Sequence, residues 1–361
     1  FARSFVPRHH SSVSLSSKLS TMVLHTRVCD ILNITHPVVQ GGMHFVAYSS
    51  LSAAVSNAGG LGIITALTQP SPEHLRAEIQ KLKALLRTPN VPFGVNMTLL
   101  PTLAPPNYDA YLDVIIEERV PVVETAGRNP SAIIKRLKSA GITVIHKCVN
   151  IKHALTAERL GVDIIAMDGF ECAGHPGDDD IPNMILLPRA KEALKIPFIA
   201  SGGIGTGSQL AACLALGAEG INMGTRFMAT REAPIHDGIK SALVSGTELS
   251  TTHVMKSLKN TERVYKNSAS KQVQELEAKH PGDINAIRHL VRGENYRRSF
   301  QETGNADDSV WSAGMVMGLI HDVPTVAVLI ERIVADAENV IQALPTRVVA
   351  SGAYPTPTSK L

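Results

Sequence analysis

The sequence predicts a (β/α)₈ barrel, a TIM barrel, with a helical insertion after the eighth strand, and two observations support this prediction. Short apolar runs rich in β-branched residues occur eight times, roughly 20 to 34 residues apart. Each run is almost continuously apolar, as expected for parallel strands buried on both faces, and helical patterns separate the runs. A doubly wound sheet is the alternative, but such a sheet does not usually need eight units of such even length.

The apolar pattern places eight strands and several of the helices between them. The strands are predicted at residues 37–40, 61–66, 93–98, 120–126, 143–148, 163–169, 197–203 and 220–227. The helices are predicted at residues 71–86, 130–140, 151–160, 188–194 and 208–216. Ser71 is a suitable N-cap for the first helix, with Pro72 in its first turn. Gly141, Gly161 and Gly217 are suitable stops for three others.

Beyond the eighth strand the pattern changes. We expect the barrel to comprise residues 29–230 and 309–345, in which residues 309–344 return to apolar helical patterns and close the barrel. Residues 231–308 are polar and helix-prone and contain no strand-like run. We therefore expect this segment to be a helical cap on the substrate side of the barrel mouth.

Both ends of the chain resemble targeting segments. Residues 1–28 are basic and Ser-rich and contain no acid, as in a mitochondrial presequence, although a disordered tail or translation upstream of Met22 is the alternative. The tail at 346–361 ends in Ser359-Lys360-Leu361, which the peroxisomal import receptor reads at a free C-terminus. We expect a peroxisomal location, with the mitochondrion or the cytoplasm as alternatives.

The composition argues against several classes of partner. A formal net charge of +3 and an aromatic content of 4% give no basis for nucleic-acid binding. No apolar run reaches the roughly 18 residues of a membrane span. The four cysteines form no CxxC pair, so neither a disulfide framework nor a metal site is expected. We expect small-molecule substrates and a monomer or small homo-oligomer.

Glycines and polar residues gather at the predicted carboxyl ends of the strands, where barrel enzymes carry their reactive groups. These groups lie at residues 40–43, 96–98, 124–127, 146–148, 168–169, 201–203 and 223–225. A barrel with a purely structural role has no reason to place glycine, asparagine, lysine and histidine there together. The sequence therefore predicts a functional site at this end of the barrel.

Two glycine turns, after strands seven and eight, predict a phosphate site. Residues 201–203 precede a helix, and residues 223–225 follow the next strand. Backbone without side chains lets a phosphate approach N–H groups, and barrel enzymes frequently bind phosphate with these two loops. Glycines needed only for tight turns are the alternative. A dinucleotide fingerprint is disfavoured because Ser208 stands where the third glycine belongs.

Lys147, at the end of strand five, is compatible with three roles. A positive group beside a flavin stabilises the anionic reduced ring. The lysine of an aldolase-type barrel forms a Schiff base instead. A lysine paired with Glu124 or Asp168 would have a structural role.

His175 lies in a glycine-rich segment after strand six, at residues 168–177. Histidine transfers protons near neutral pH, so we predict a catalytic role, with simple hydrogen bonding as the alternative. The aspartates at 178–180 are compatible with a metal cluster. A solvated acidic turn is favoured, because adjacent carboxylates on one loop seldom converge on one cation.

These segments resemble the nitronate monooxygenase (2-nitropropane dioxygenase-like) superfamily over about residues 30–345. Within it, GVNMTLLP at 94–101 and DGFECAGHPGDDD at 168–180 are most similar to the FMN-dependent NADH:quinone reductase branch. The other matching segments are GGM at 41–43, VETAG at 123–127, HKC at 146–148 and GTRFMAT at 224–230.

The resemblance implies non-covalently bound FMN, with NAD(P)H as co-substrate. Together with the analysis above, it gives as cofactor-binding residues Gly41, Gly42, Met43, Asn96, Lys147, Asp168, Ala173, Gly174, Ser201, Gly202, Gly203, Met223, Gly224 and Thr225. Thr98, Pro101 and Thr102 would belong to a loop over the nicotinamide. His175 matches the histidine that acts on the nitronate in nitronate monooxygenases. Their motif differs from residues 171–176, which favours the quinone reductase branch.

Two redox functions therefore compete. The first is hydride transfer from NAD(P)H to flavin N5, followed by two-electron reduction of a quinone. The second is oxidation of alkyl nitronates such as propionate 3-nitronate and 2-nitropropane with O₂. A flavin-free aldolase that uses Lys147 and a non-catalytic binding barrel are the alternatives from other classes.

Overall fold

Eight parallel strands close into a barrel in the computed structural model, which describes residues 23–99, 106–127 and 130–348. The strands are β1 (Val38–Gln40), β2 (Leu61–Thr65), β3 (Phe93–Leu99), β4 (Val122–Gly127), β5 (Thr143–Cys148), β6 (Ile164–Asp168), β7 (Phe198–Ser201) and β8 (Ile221–Met223). Neighbours pair in chain order and β1 pairs with β8. The predicted (β/α)₈ barrel is confirmed, and each strand begins within two residues of its predicted start.

Helices alternate with these strands and continue beyond the last one. They are α1 (Arg27–Leu32), α2 (Ser49–Asn57), α3 (Pro72–Leu85), α4 (Tyr108–Glu117), α5 (Ser131–Ser139), α6 (Ile151–Arg159), α7 (Asn183–Ala193), α8 (Gly207–Ala215), α9 (Thr225–Met228), α10 (Asp237–Ser245), α11 (Ser268–Lys279), α12 (Ile284–Ile287), α13 (Gly293–Arg298) and α14 (Val326–Ala343). Ser71 caps α3 as predicted, because its Oγ accepts a hydrogen bond from the His74 N–H.

Two predicted boundaries are corrected. The eighth strand was expected to reach residue 227, but it ends at Met223 because Gly224 turns the chain into the short helix α9. The helix predicted from Pro188 begins five residues earlier, at Asn183, and keeps Pro188 in its interior. Met184, whose carbonyl loses its helical partner to the proline, is 67% exposed, so that carbonyl lies where water can reach it.

Helix α1 closes the amino-terminal end of the barrel. Val28 and Leu32 are buried against inward-facing strand residues, and the Thr26 hydroxyl donates to the Glu219 carbonyl at 2.6 Å. The tail predicted over residues 1–28 therefore extends too far, because residues 26–28 belong to the packed barrel. Residues 1–22 and 349–361, including Ser359-Lys360-Leu361, lie outside the described residues.

The insertion at 231–308 is mainly helical, from α10 to α13, but it also contains an antiparallel hairpin of β9 (Thr251–Val254) and β10 (Glu262–Tyr265). The expectation of no strand there was wrong, because the strands are only four residues long and are joined by a polar turn. The hairpin packs with α11 and α12 around Val254, Val264 and Val273. This cap lies beside the carboxyl ends of the barrel strands, since Gly174 bridges to Arg263 of β10.

Among the described residues, no helix is both long enough and apolar enough to cross a bilayer. The longest, α14, is amphipathic and buries one face in the barrel wall, with Leu329 and Ile333 in the core.

Candidate active site

A cavity of about 990 Å³ opens at the carboxyl ends of the strands. It brings together the predicted residues that the structure describes, which are Gly41, Gly42, Met43, Asn96, Thr98, Lys147, Asp168, Ala173, Gly174, His175, Ser201, Gly202, Gly203, Met223, Gly224 and Thr225. Pro101 and Thr102 lie outside the described residues. Cap residues, among them Glu262 and Tyr296, complete the wall.

The turns after β7 and β8 present free backbone amides to this cavity. The N–H groups of Gly202, Gly203, Ile204 and Gly224 have no acceptor among the described residues. Gly202 has a φ of +92°, and a Cβ there would lie 2.7 Å from Cys172 Cβ, so this turn requires glycine. Unpaired amides on two turns that line one cavity are suited to bind an anion there. We name these four amides the amide cradle.

Asn183, which the sequence analysis missed, holds the first of these turns in place. Its Nδ2 donates to the carbonyls of Ser201 and Gly202 at 3.0 and 2.8 Å. With the carbonyl oxygens bound on this side, the N–H groups of the turn remain available to the cavity. The side chain of Asn183 is buried at the start of α7, where the sequence analysis had not yet placed a helix.

Not every predicted residue contributes its side chain. The Met223 side chain is buried in the larger hydrophobic core, which strands and helices form together. The Thr225 hydroxyl accepts from Gly314 N at 3.0 Å, and the Thr98 hydroxyl donates to Asn96 Oδ1 at 2.8 Å. Met223 therefore serves a ligand only through its backbone, whereas the Thr225 hydroxyl still has its own proton to donate, and Thr98 orients Asn96.

A buried carboxylate, Glu124, organises the floor of the cavity. It is fully buried, and Oε2 accepts from Gly42 N at 3.0 Å and from Asn96 Nδ2 at 2.7 Å, while Oε1 accepts from Asn222 Nδ2 at 2.9 Å. The network fixes the turn after β1 against β3 and β8. From the sequence, Glu124 was recognised only as a strand-end residue and a partner of Lys147, and Asn222 was not predicted. An acid inside an otherwise apolar strand was the available signal for Glu124.

Glu124→Gln is expected to lower the free energy of unfolding by about 2–3 kcal/mol, because the amide NH₂ would face a donor where the carboxylate accepts one. Urea denaturation without added flavin measures the change. Glu117→Gln is the control, since the exposed Glu117 carboxylate on α4 pairs only at the surface with Arg76 and should change stability by less than about 1 kcal/mol. Equal stability of the two variants would contradict the role of Glu124.

Lys147 and Asp168 form an ion pair at the centre of the mouth. Lys147 Nζ lies 3.1 Å from Asp168 Oδ1 and 3.3 Å from Ser201 Oγ. Burial alone would lower the pKa of Lys147, but the negative charges of Asp168 and Glu124 outweigh it and hold the pKa above its ordinary value of 10.5. A Schiff-base lysine needs a neutral amine, so this arrangement disfavours the aldolase alternative.

The two predicted histidines have different environments. His146 alternates with Lys147 on β5, its Nδ1 lies 2.8 Å from Thr125 Oγ1, and burial lowers its pKa to about 4. His175 is half-buried in the cavity wall, and none of the described residues hydrogen bonds its ring. Of these two histidines, His175 is therefore the one whose ring is available to a substrate.

The aspartates at 178–180 hold separate partners. Asp178 Oδ1 accepts from Thr261 Oγ1 at 2.6 Å, and Asp179 Oδ2 accepts from Asn150 Nδ2 at 3.1 Å. Nowhere in the part of the chain that the structure describes do three or more His, Cys, Asp or Glu side chains gather as a metal site requires. The acidic turn joins the loop after β6 to the cap and to α6.

The site fits FMN at both ends of that molecule. The amide cradle suits a phosphate, because backbone N–H groups stabilise an anion without a side chain in the way. Room for the phosphate exists at Gly224, where a Cβ would meet nothing closer than Met43 Sδ at 3.5 Å. The polar floor and Lys147 line the same cavity and suit the hydrogen-bonding edge of the ring.

The chain is similar to known proteins over most of its length. The sequence model for nitronate monooxygenase matches residues 25–336. The (3aS,4S,5R,7aS)-5-hydroxy-7a-methyl-1-oxo-octahydro-1H-indene-4-carboxyl-CoA dehydrogenase of Rhodococcus jostii is 33% identical over 355 residues, which covers 89% of this chain and 98% of the relative.

Two solved structures share the fold and the length. FabK from Thermotoga maritima has a TM-score of 0.82 and 34% identity, covering 90% of this chain and 99% of that chain. A nitroalkane oxidase from Streptomyces ansochromogenes has a TM-score of 0.74 and 26% identity, covering 88% of this chain and 99% of that chain. The similarity therefore includes the cap as well as the barrel.

Proposed function

The chain belongs to the nitronate monooxygenase family, and we propose that this oxidoreductase binds FMN, oxidises NAD(P)H and reduces a quinone by two electrons. The observation that carries the proposal is the amide cradle, which lines the same cavity as the charged Lys147 and the polar floor around Glu124. An anion site and a set of hydrogen-bonding groups with a fixed cation, all in one cavity, suit the phosphate and the ring of a flavin nucleotide.

Bound FMN would supply the electron chemistry, by accepting a hydride at N5 and returning the electron pair to an acceptor. The protein would supply position and charge. The amides of Gly202, Gly203 and Gly224 would hold the phosphate, and Asn96 and Gly42 would lie at the ring edge, held by Glu124. Lys147 keeps its proton at neutral pH and can offset negative charge beside it.

The remaining cavity suits a flat organic substrate. Its volume of about 990 Å³ lies at the upper end of the roughly 300–1,000 Å³ of ligand pockets, which supports a cofactor together with a second molecule. Met43, Leu67 and Val291 give apolar surface, and Tyr296 adds an aromatic face. Nicotinamide and quinone would use this space in turn.

His175 would donate the proton that a quinone oxygen needs when the electron pair arrives. Its ring has no partner among the described residues and lines the cavity, so it can approach a substrate oxygen without breaking a bond inside the protein.

Anaerobic mixing of the yellow protein with NADH or NADPH tests the proposal, and we expect rapid loss of the visible flavin absorbance, followed by its return when a quinone is added. Absorbance that neither nicotinamide removes would contradict NAD(P)H oxidation.

Nitronate oxidation is the second candidate, and the family match and the free His175 ring favour it. In the same anaerobic experiment, loss of absorbance with propionate 3-nitronate alone would support this candidate.

A CoA thioester should be added as a further substrate in this experiment. The Rhodococcus jostii relative, which matches over 98% of its length, is named for a CoA substrate.

A further inference from the structure

Arg263 of β10 is a buried arginine in the cap that contacts the loop carrying His175. It is 5% exposed, and among the described residues its guanidinium bonds to a carbonyl and a hydroxyl rather than to a carboxylate. Instead, Nε and Nη2 both donate to the Phe170 carbonyl, at 3.2 and 2.9 Å, and Nη1 donates to Thr251 Oγ1 at 3.1 Å. The guanidinium carbon also lies 4.4 Å from the centre of the Phe170 ring.

The backbone of Arg263 holds the other end of the same loop. Its N–H donates to the Gly174 carbonyl at 2.6 Å, and the Gly174 N–H donates to its carbonyl at 3.1 Å. Gly174 directly precedes His175 and has a φ of +73°, which side chains rarely adopt. The hairpin therefore grips the loop at Phe170 and Gly174, on both sides of the turn that leads to His175.

Stability alone does not account for this residue. Burial of a cation without a carboxylate in direct contact is unfavourable, and burial lowers the pKa of the Arg263 guanidinium even though nearby acids, among them Glu171 and Asp180, partly offset it. An apolar residue could fill the space between Phe170 and the hairpin without that penalty. Two directed hydrogen bonds to one carbonyl give a geometric constraint that an apolar residue does not give.

We propose that Arg263 is a positioning residue of the active site, which fixes the loop from Phe170 to Gly174 so that the His175 ring faces the cavity. The cap then takes part in catalysis by setting the position of a residue on the barrel. This inference rests on the proposed function in one respect, namely that His175 acts on the substrate.

A double-mutant cycle tests the proposal with the FMN-loaded protein, NADH and a quinone. Arg263→Met is expected to lower kcat about tenfold, with little change in the KM for the quinone, because a displaced His175 affects the chemical step. Arg263→Lys should recover part of the loss, since it keeps one donor and the charge. In the His175→Asn background, Arg263→Met should cause no further loss, since the histidine through which it acts is gone.

Lys256→Met, on the exposed turn of the same hairpin, is the control and should leave kcat unchanged. The proposal is overturned if Arg263→Met reduces kcat equally in both backgrounds, if it has no effect, or if His175→Asn itself has none. Should Arg263→Met fail to fold, Arg263→Lys carries the same cycle.

Hydrogen exchange separates a failure of the proposed function from a failure of this inference. Amide exchange of the peptide around Gly174 should accelerate in Arg263→Met and remain slow in Lys256→Met, whether or not NADH and quinone are substrates. If no variant turns over NADH and quinone but exchange around Gly174 is still faster in Arg263→Met, the quinone reductase function is rejected. If exchange around Gly174 is unchanged in Arg263→Met, the positioning role of Arg263 is rejected.

Discussion

Gly224→Val is expected to give a folded protein that is colourless and binds FMN at least about 100-fold more weakly. Gly224 has a negative φ, and a Cβ there would meet no atom closer than 3.5 Å, so the backbone accepts a Cβ at this position. The branched methyl groups would occupy the space of the amide cradle and remove hydrogen bonds to the phosphate, each worth about 1.5–3 kcal/mol. Visible absorbance and an FMN titration measure the loss.

Gly293→Val is a matched control. A Cβ at Gly293 would also meet its nearest atom at 3.5 Å, on Phe45, but this position lies at the cap side of the cavity. This variant should stay yellow, and thermal unfolding of both apoproteins should match that of the parent. A Gly224→Val protein that binds FMN as tightly as the parent would be incompatible with a phosphate held at this turn.

Lys147→Met is expected to slow anaerobic flavin reduction by NADH about 100-fold or more. The substitution keeps much of the side-chain volume but removes the fixed cation beside Asp168, and loss of one such electrostatic group typically costs 10²–10³ in rate. Stopped-flow absorbance measures the rate. Lys135→Met is the control: it removes the same charge from the exposed face of α5, and its flavin should be reduced at the parent rate.

The pKa of Lys147 also predicts the pH dependence of stability. Because the folded-state pKa lies above 10.5, the stabilisation from this charge is fully present below 10.5 and is lost only as pH rises through the folded-state value. In chemical denaturation, the free energies of unfolding of the parent and of Lys147→Met should therefore differ by a constant amount from neutral pH to about pH 9, all else equal. A difference that declined with rising pH within this window would show that Lys147 titrates there.

The barrel was predictable because its strands are buried on both faces, which leaves nearly continuous apolar runs such as 61–66, within which the observed β2 lies. The site was predictable for a related reason. Carboxyl ends of parallel strands meet at one end of a barrel, so Asn96, Lys147 and Gly202 could be expected together without knowledge of their distances.

The remaining features depend on contacts distant in sequence. The hairpin β9–β10 consists of four-residue strands whose pairing leaves little apolar pattern, and Arg263 acquires its role only when it reaches Phe170. Glu124 accepts hydrogen bonds from Gly42, Asn96 and Asn222, which lie 82 and 28 positions before it and 98 positions after it in the chain. Local pattern does not encode such partners, although a carboxylate within an apolar strand indicates that partners exist.

Comparison of FMN with riboflavin binding to the folded apoprotein is the most direct test of the phosphate site formed by the amides near Gly202 and Gly224. Riboflavin has the same ring and lacks the phosphate. We predict that FMN binds at least about 100-fold more tightly, because only FMN engages the charged hydrogen bonds of the amide cradle. Equal affinity for the two, or refusal of both by a correctly folded protein, would contradict the account.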